Sequence, residues 1–195
     1  MLSRIHDNKT IDLFLDVKLI KKGLIYFSLN RKSESFLYNF AAVLFNAMFA
    51  KNLVCKDVTG VSFTPRSANS GYVPFALFGN EGNTYIVLSN STVDQSLAFD
   101  DYKINNPLGN LTVVSGYPKY DIEVGTNFVA LKIIDKWTYT GTNTAITASA
   151  LYYTTVYDTA GNSRKVMLAK DVFNPAINLE TNSLIEWSYI IKIAL

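Results

Sequence analysis

The sequence predicts a mainly β protein: a two-sheet β-sandwich, jelly-roll-like or immunoglobulin-like, with one buried helix in its N-terminal half. Three observations predict it. The second half holds many short β-branched and aromatic runs, roughly 8–12 residues apart and separated by polar turns. The last run, Leu184–Ile193, places Ile185, Trp187, Tyr189, Ile191 and Ile193 on one side and Glu186, Ser188 and Lys192 on the other. A period of two with a wholly apolar face marks a half-buried strand. Twelve Tyr and twelve Phe, with many Thr, Val and Ile, suit a pleated surface.

Residues 1–22 mix charged and apolar positions and alternate only in part, so they predict either a first strand or an arm lying on a neighbouring subunit. Residues 23–195 then form a single β-sandwich domain. Leu24–Leu29 reads as a short strand, with Asn30-Arg31-Lys32 as a turn. Ser33-Glu34-Ser35 opens the one helix, a serine capping it and Glu34 suiting its positive end. Phe36–Ala50 is apolar nearly all round and so buried on most sides. Asn39 and Asn46, seven apart, share a face and are expected to bond to water or nearby backbone.

Leu53–Val58 and Val61–Thr64 are strand-like around Thr59-Gly60. Val73–Phe78 contains Pro74 and reads as an edge or loop. Thr84–Leu88 is a strand, Ser89–Ser96 a polar loop, and Leu97–Ile104 a helical turn. Strands follow at Leu111–Ser115, Tyr120–Val124, Phe128–Ile134 and Trp137–Tyr139. Ile146–Tyr157 leads to a turn at Asp158–Asn162. Lys165–Phe173 runs back and stops at Asn174-Pro175.

Composition narrows the function classes. A chain of 195 residues with 17% charged positions can bury a real core. A net charge of +2 gives no drive toward nucleic acid, although residues 1–32 hold seven Lys/Arg against three Asp. One cysteine, Cys55, excludes an intramolecular disulfide, and one histidine, His6, argues against a zinc site. The apolar stretch at Phe36–Ala50 falls short of the roughly 20 residues of a membrane span, so no membrane partner is expected. Met1–Asp7 opens no apolar run of the signal-peptide kind, which predicts a protein kept or packaged in a cytoplasm.

Candidate chemistry is sparse. Asp121 and Glu123 share a strand face, as a carboxylate pair for acid/base work or calcium would, but a solvent-facing row on an exposed sheet is the expected reading. Asp100-Asp101 adjoins an oxygen-rich loop without calcium-loop spacing, which suits capping or a turn. Cys55 reads as an inert buried thiol. The triplets at Asn8, Asn90 and Asn110 match the glycosylation pattern and are taken as loop composition. No catalytic residue, metal site or cofactor is expected. Tyr139, Tyr152, Tyr153, Tyr157 and Tyr189 gather in the late strands, where polar-tipped rings serve either two-sided packing or an intersubunit surface. Phe14 and Leu15 of the N-terminal segment, with Tyr139, Tyr152, Tyr153 and Tyr157, are the candidate interface residues.

The order of segments resembles a loose group of small virion structural proteins from tailed phages and archaeal viruses. The resemblance rests on the helix start Glu34-Ser35-Phe36-Leu37-Tyr38-Asn39-Phe40, the strand and loop Thr84–Asn90, and Asp101-Tyr102-Lys103-Ile104. It continues with Leu168-Ala169-Lys170-Asp171-Val172-Phe173 and the closing strand Ile185–Ile193. Ser89-Asn90 and Ala148 with Ala150 depart from the group's glycine and acidic positions, which leaves the subtype open. The resemblance implies a non-enzymatic shell, turret, decoration or tail component. Its partners would be other copies of itself and other virion proteins, and it would be located in a virion assembled in the host cytoplasm. A second expectation is a surface module recognising glycan or protein through the loops Pro65–Tyr72, Ser89–Ser96 and Asn105–Asn110, with Tyr72 near Asn69 as an aromatic platform.

Overall fold

The computed structural model describes residues 11–33, 37–49, 52–66 and 83–194. Strand β1 (Ile11–Lys21) alternates Leu13, Leu15, Val17 and Leu19, all buried, with half-buried Asp12, Phe14, Asp16, Lys18 and Ile20. Lys22 and Gly23, both at positive φ, return the chain into β2 (Leu24–Ser33). The final strand, β11 (Leu184–Ala194), pairs with β1 from Ile11 opposite Ile193 to Ile20 opposite Leu184. Ile11–Lys21 is therefore a strand of the chain's own sheet, with β2 on one edge and β11 on the other. It has no free edge to lay on a neighbour. Residues 1–10 lie outside the described residues.

Beyond β11 comes β8 (Phe128–Tyr139), whose far edge carries both β6 (Leu111–Val113) and β7 (Lys119–Val124). These six strands form one antiparallel sheet. The two expected strands Phe128–Ile134 and Trp137–Tyr139 are one strand, because Asp135 and Lys136 do not interrupt it. Lys136 turns to the outer face and pairs with Glu186, while Asp135 turns inward and accepts the backbone N–H of Ile86 at 2.7 Å.

A three-stranded sheet packs beside it in the order β10 (Ser163–Leu179), β9 (Thr144–Tyr157), β5 (Thr84–Ser89). β10 does not end at Phe173. It continues through Asn174-Pro175 to Leu179, because β10 is an edge strand and proline's missing N–H breaks no ladder there. Between Val172 and Ile177 the register jumps, so Phe173–Ala176 bulge out opposite Thr147 alone.

This smaller sheet is buried on both faces. Tyr153 joins the main core with Trp187, Tyr189, Leu15 and Ile133, whereas Tyr152 joins a second cluster with Leu37, Ile104 and Met167. The helix α1 (Tyr38–Phe49) packs on β10 and adds Phe40, Ala42 and Val43 to the main core. Phe45 stands exposed, so the helix is not buried all round. The expected cap Ser33 ends β2 instead and gives its hydroxyl to Asp171, while Ser35 lies outside the described residues.

Asn39 and Asn46 sit on the buried side of the helix. Asn39 bonds both the C=O and N–H of Lys56 (2.9 and 3.0 Å), and Asn46 does the same to Leu53 (2.7 and 2.8 Å). Each amide replaces the strand neighbour that this segment's backbone lacks. The expected strand pair Leu53–Val58 and Val61–Thr64 is accordingly short: β3 (Cys55–Lys56) against β4 (Ser62–Phe63). The expected helical turn at Leu97–Ile104 is displaced too. A 3₁₀ turn falls at Thr92–Gln95, where the Ser91 hydroxyl accepts the N–H of Val93. Val73–Phe78 lies outside the described residues.

Candidate functional site

Two loops are built to one plan. In Asp57-Val58-Thr59-Gly60-Val61 and Asp158-Thr159-Ala160-Gly161-Asn162, the aspartate carboxylate accepts the N–H groups two and four residues on, at 2.8–3.0 Å. In both, the glycine takes φ near +87° or +88°, which a side chain would strain. Arg164 joins the loops, contacting Asp57 at 3.4 Å and Asp158 at 3.1 Å. Burial pushes both carboxyls up, but the hydrogen bonds outweigh it and hold both below the usual range. The arrangement is a structural clasp whose charges are already satisfied.

Asp94 organises two of the loops expected to bind. Fully buried, it accepts the Ser89 hydroxyl (2.7 Å), the backbone N–H groups of Asn105 and Asn106, and the Asn105 amide. These bonds overcome the upward push of burial and hold its carboxyl low. Ser89–Ser96 and Asn105–Asn110 are thus tied together from inside. Of the third loop only Pro65 and Arg66 are described; Asn69 and Tyr72 lie outside the described residues.

The Lys170-Asp171 pair lies inside the protein. Lys170 is buried and gives hydrogen bonds to the Ser96 carbonyl (2.7 Å) and Asp101 (2.8 Å). Asp171 points to the other face, accepting the Ser33 hydroxyl (2.9 Å) and facing Arg31 (3.3 Å) and Tyr189. The Tyr189 hydroxyl also lies 2.8 Å from that of Ser149. Burial first, and then the Asp171 charge, raise the Tyr189 phenol well above its ordinary range. This network stitches the two sheets together.

Leu15, Tyr139, Tyr152 and Tyr153 are buried, and Phe14 and Tyr157 are half-buried. The buried tyrosine tips are spent within the chain: Tyr139 donates to the Thr142 carbonyl at 2.6 Å, and Tyr152 accepts the N–H of Ile104 at 2.6 Å. Those buried rings leave little surface for a second subunit, whereas Phe14 and Tyr157 keep part of theirs. Phe14 stands on the outer face of the larger sheet, opposite Ile190. Asp121 and Glu123 are exposed on β7. Burial pushes the Cys55 thiol up to about 12. Among the described residues no group of three or more His, Cys, Asp and Glu could hold a metal, and no helix is long and apolar enough to cross a membrane.

The exposed apolar surface that residue-by-residue reasoning missed lies at one end of the six-stranded sheet. Strand register sets Val124, Val129, Ile193 and Ile11 side by side across four strands. Val124 is 73% exposed, Ile193 41% and Ile11 40%, and Ile122 on the next row is 57% exposed. These residues continue the core face past the end of the smaller sheet. The alternation of each strand was readable, but which row went uncovered depended on register. No family model, curated protein or solved structure matches the chain.

Proposed function

We propose that the protein is a non-catalytic structural component of a virus particle, in the shell, turret, decoration or tail, and that it works by association with copies of itself. Its scaffold is read as a two-sheet β-sandwich. The two sheets share the main core cluster and are bridged by Arg31 to Asp171, Tyr189 to Ser149, and Asp135 to Ile86. The order of sequence segments shared with small virion proteins supports the viral setting.

The apolar row, which nothing among the described residues covers, carries the self-association reading. Apolar residues that continue a core face beyond its cover favour burial against another surface. The charges on β7 favour a second copy as that surface. Antiparallel pairing of two β7 strands about Asp121 sets Lys119 of each copy opposite Glu123 of the other, two attractive pairs against the single repulsion of Asp121 facing Asp121, each of which has Lys132 as its neighbour on β8. It also sets Tyr120 opposite Ile122, so the apolar face runs on across the junction. Such pairing is isologous and closes on itself.

Light scattering across a range of concentrations tests the reading. The expected result is a concentration-dependent oligomer that Ile122→Lys reduces to a folded monomer. A wild-type monomer at every concentration, or an oligomer untouched by Ile122→Lys and Val124→Asp, would overturn it. The viral setting is checked by mass spectrometry of purified particles, in which the chain is expected at stoichiometric abundance.

A further inference from the structure

The bulge in β10 opens a groove of about 520 Å³ between that strand and β2, on the side of the molecule away from β7. The two edge strands face each other there without pairing. Phe27, Leu29 and Ile177 line it with apolar surface. Tyr26, Arg31, Asn174, Asn178 and Glu180 add polar groups. A second hollow of about 410 Å³ adjoins it, sharing Asn178 and Glu180 and adding Asn143 and Thr144. A bulge beside a concavity is a common way to aim side chains at a ligand.

The chemistry of the lining selects the ligand. Both charges in the groove are already paired, Arg31 with buried Asp171 and Glu180 with Lys21. An ionic ligand would therefore have to displace a formed pair. Asn174 and Asn178 are exposed, and among the described residues neither side chain has a hydrogen-bond partner. Each offers a donor and an acceptor in one plane. The half-exposed Tyr26 ring is held in place, its hydroxyl 2.9 Å from that of Ser183 and accepting the N–H of Glu180. A fixed aromatic face beside planar amides, with no net charge, matches a pyranose ring, whose C–H face packs on aromatics and whose hydroxyls both donate and accept.

We propose that this groove binds a neutral oligosaccharide, one ring against Tyr26 and Asn178 beside the adjoining hollow and the next reaching toward Asn174. The site does not rest on self-association, since β2 and β10 lie apart from β7.

Calorimetric titration tests it with neutral di- and tetrasaccharides of glucose, galactose, mannose and N-acetylglucosamine. Binding is expected for at least one series, tighter for the tetrasaccharide. Asn178→Ala and Tyr26→Ala should each weaken it about tenfold, as the loss of one good contact does. Unchanged circular dichroism would show that both variants fold, and Ile122→Lys should bind like the wild type. Failure of every series at millimolar concentration would overturn the proposal, as would binding that both groove variants leave intact. Capture of an extended apolar peptide in place of any sugar would overturn it as well and mark the groove as a strand-docking site.

Discussion

In the six-stranded sheet, Lys18, Lys136 and Glu186 stand on the outer face, where Glu186 pairs with both lysines at 3.3–3.4 Å. In the three-stranded sheet, Lys170 and Asp171 are also neighbours of strand and loop, yet both are inside the protein. The difference is cover. One face of the larger sheet meets water, so its polar residues need only avoid the core. Both faces of the smaller sheet are buried, so its charged groups are partnered inside the protein, although the buried hydroxyls of Thr84 and Tyr85 are left without a hydrogen bond among the described residues. The regularity of the strands follows the same division except at two pairings, β1 with β2, which slips once at Leu19/Ile20, and β5 with β9, which does not slip. β1, β11 and β8 pair without a slip, whereas β9 and β10 change register three times, at places where side chains reach helix, loops and the other sheet.

The largest expected effect tests the shared core. Trp187→Ala should cost about 4 kcal/mol, since the fully buried indole packs edge-on against Phe173 across the two sheets. Urea denaturation followed by far-UV circular dichroism measures it, and a loss no larger than that of a surface substitution would mean the sheets are not coupled through this residue. Next comes the buried lysine. Lys170→Ala should cost about 3 kcal/mol, because Asp101 and the Ser96 carbonyl lose their buried cation. Equilibrium unfolding is again the readout.

Asp135 gives the comparison a pH dependence. Burial raises its carboxyl to about 6, outweighing the N–H bond from Ile86. The folded state therefore holds the proton more tightly than the unfolded state does. This group's contribution to stability is greatest below the ordinary Asp value of 3.8 and is lost as pH rises through about 6. Asp135→Asn, which still accepts the Ile86 N–H, should remove that loss and stabilise the protein at pH 7 by on the order of 3 kcal/mol. Subtracting the variant's stability curve from the wild type's between pH 3 and 8 isolates the group from Asp57, Asp94, Asp158 and Glu186, whose lowered values work in the opposite sense.

A smaller loss, about 2 kcal/mol, is expected for Asn39→Ala, which strips both backbone partners from Lys56. Hydrogen exchange should show that amide losing protection while β11 keeps its own. The smallest effect belongs to the outer face. Glu186→Gln should change stability by about 0.5 kcal/mol and lose even that in high salt, since its partners are partly solvated. A Glu186 effect as large as that of Lys170 would erase the distinction between the two sheets.

The period-two pattern made β1 and β11 legible in part or in full because alternation is local, and a half-buried strand writes its own burial into its residues. The helix was legible from its apolar run, and the Asp158–Asn162 turn from its glycine and asparagine. The bracket formed by Asn39 and Asn46 was half legible: their shared face was readable, but the distant backbone they hold was not. Nothing local distinguished Lys170 and Asp171 from an ordinary exposed pair, or marked Asn174-Pro175 as a bulge within a strand.

By itself the sequence determined a mainly β chain with one helix, the inward face of its last strand, and the position of most of its turns. These depend on side-chain period, proline and glycine geometry, and short-range hydrogen bonding. The tertiary structure alone decided that the smaller sheet is covered on both sides, that four tyrosine and leucine candidates are spent in the core, and that a four-strand apolar row and a bulge-lined groove remain at the surface. Burial of a face is a property of what packs against it, and strand register, which a one-residue slip would invert, is set by contacts between segments far apart in the chain.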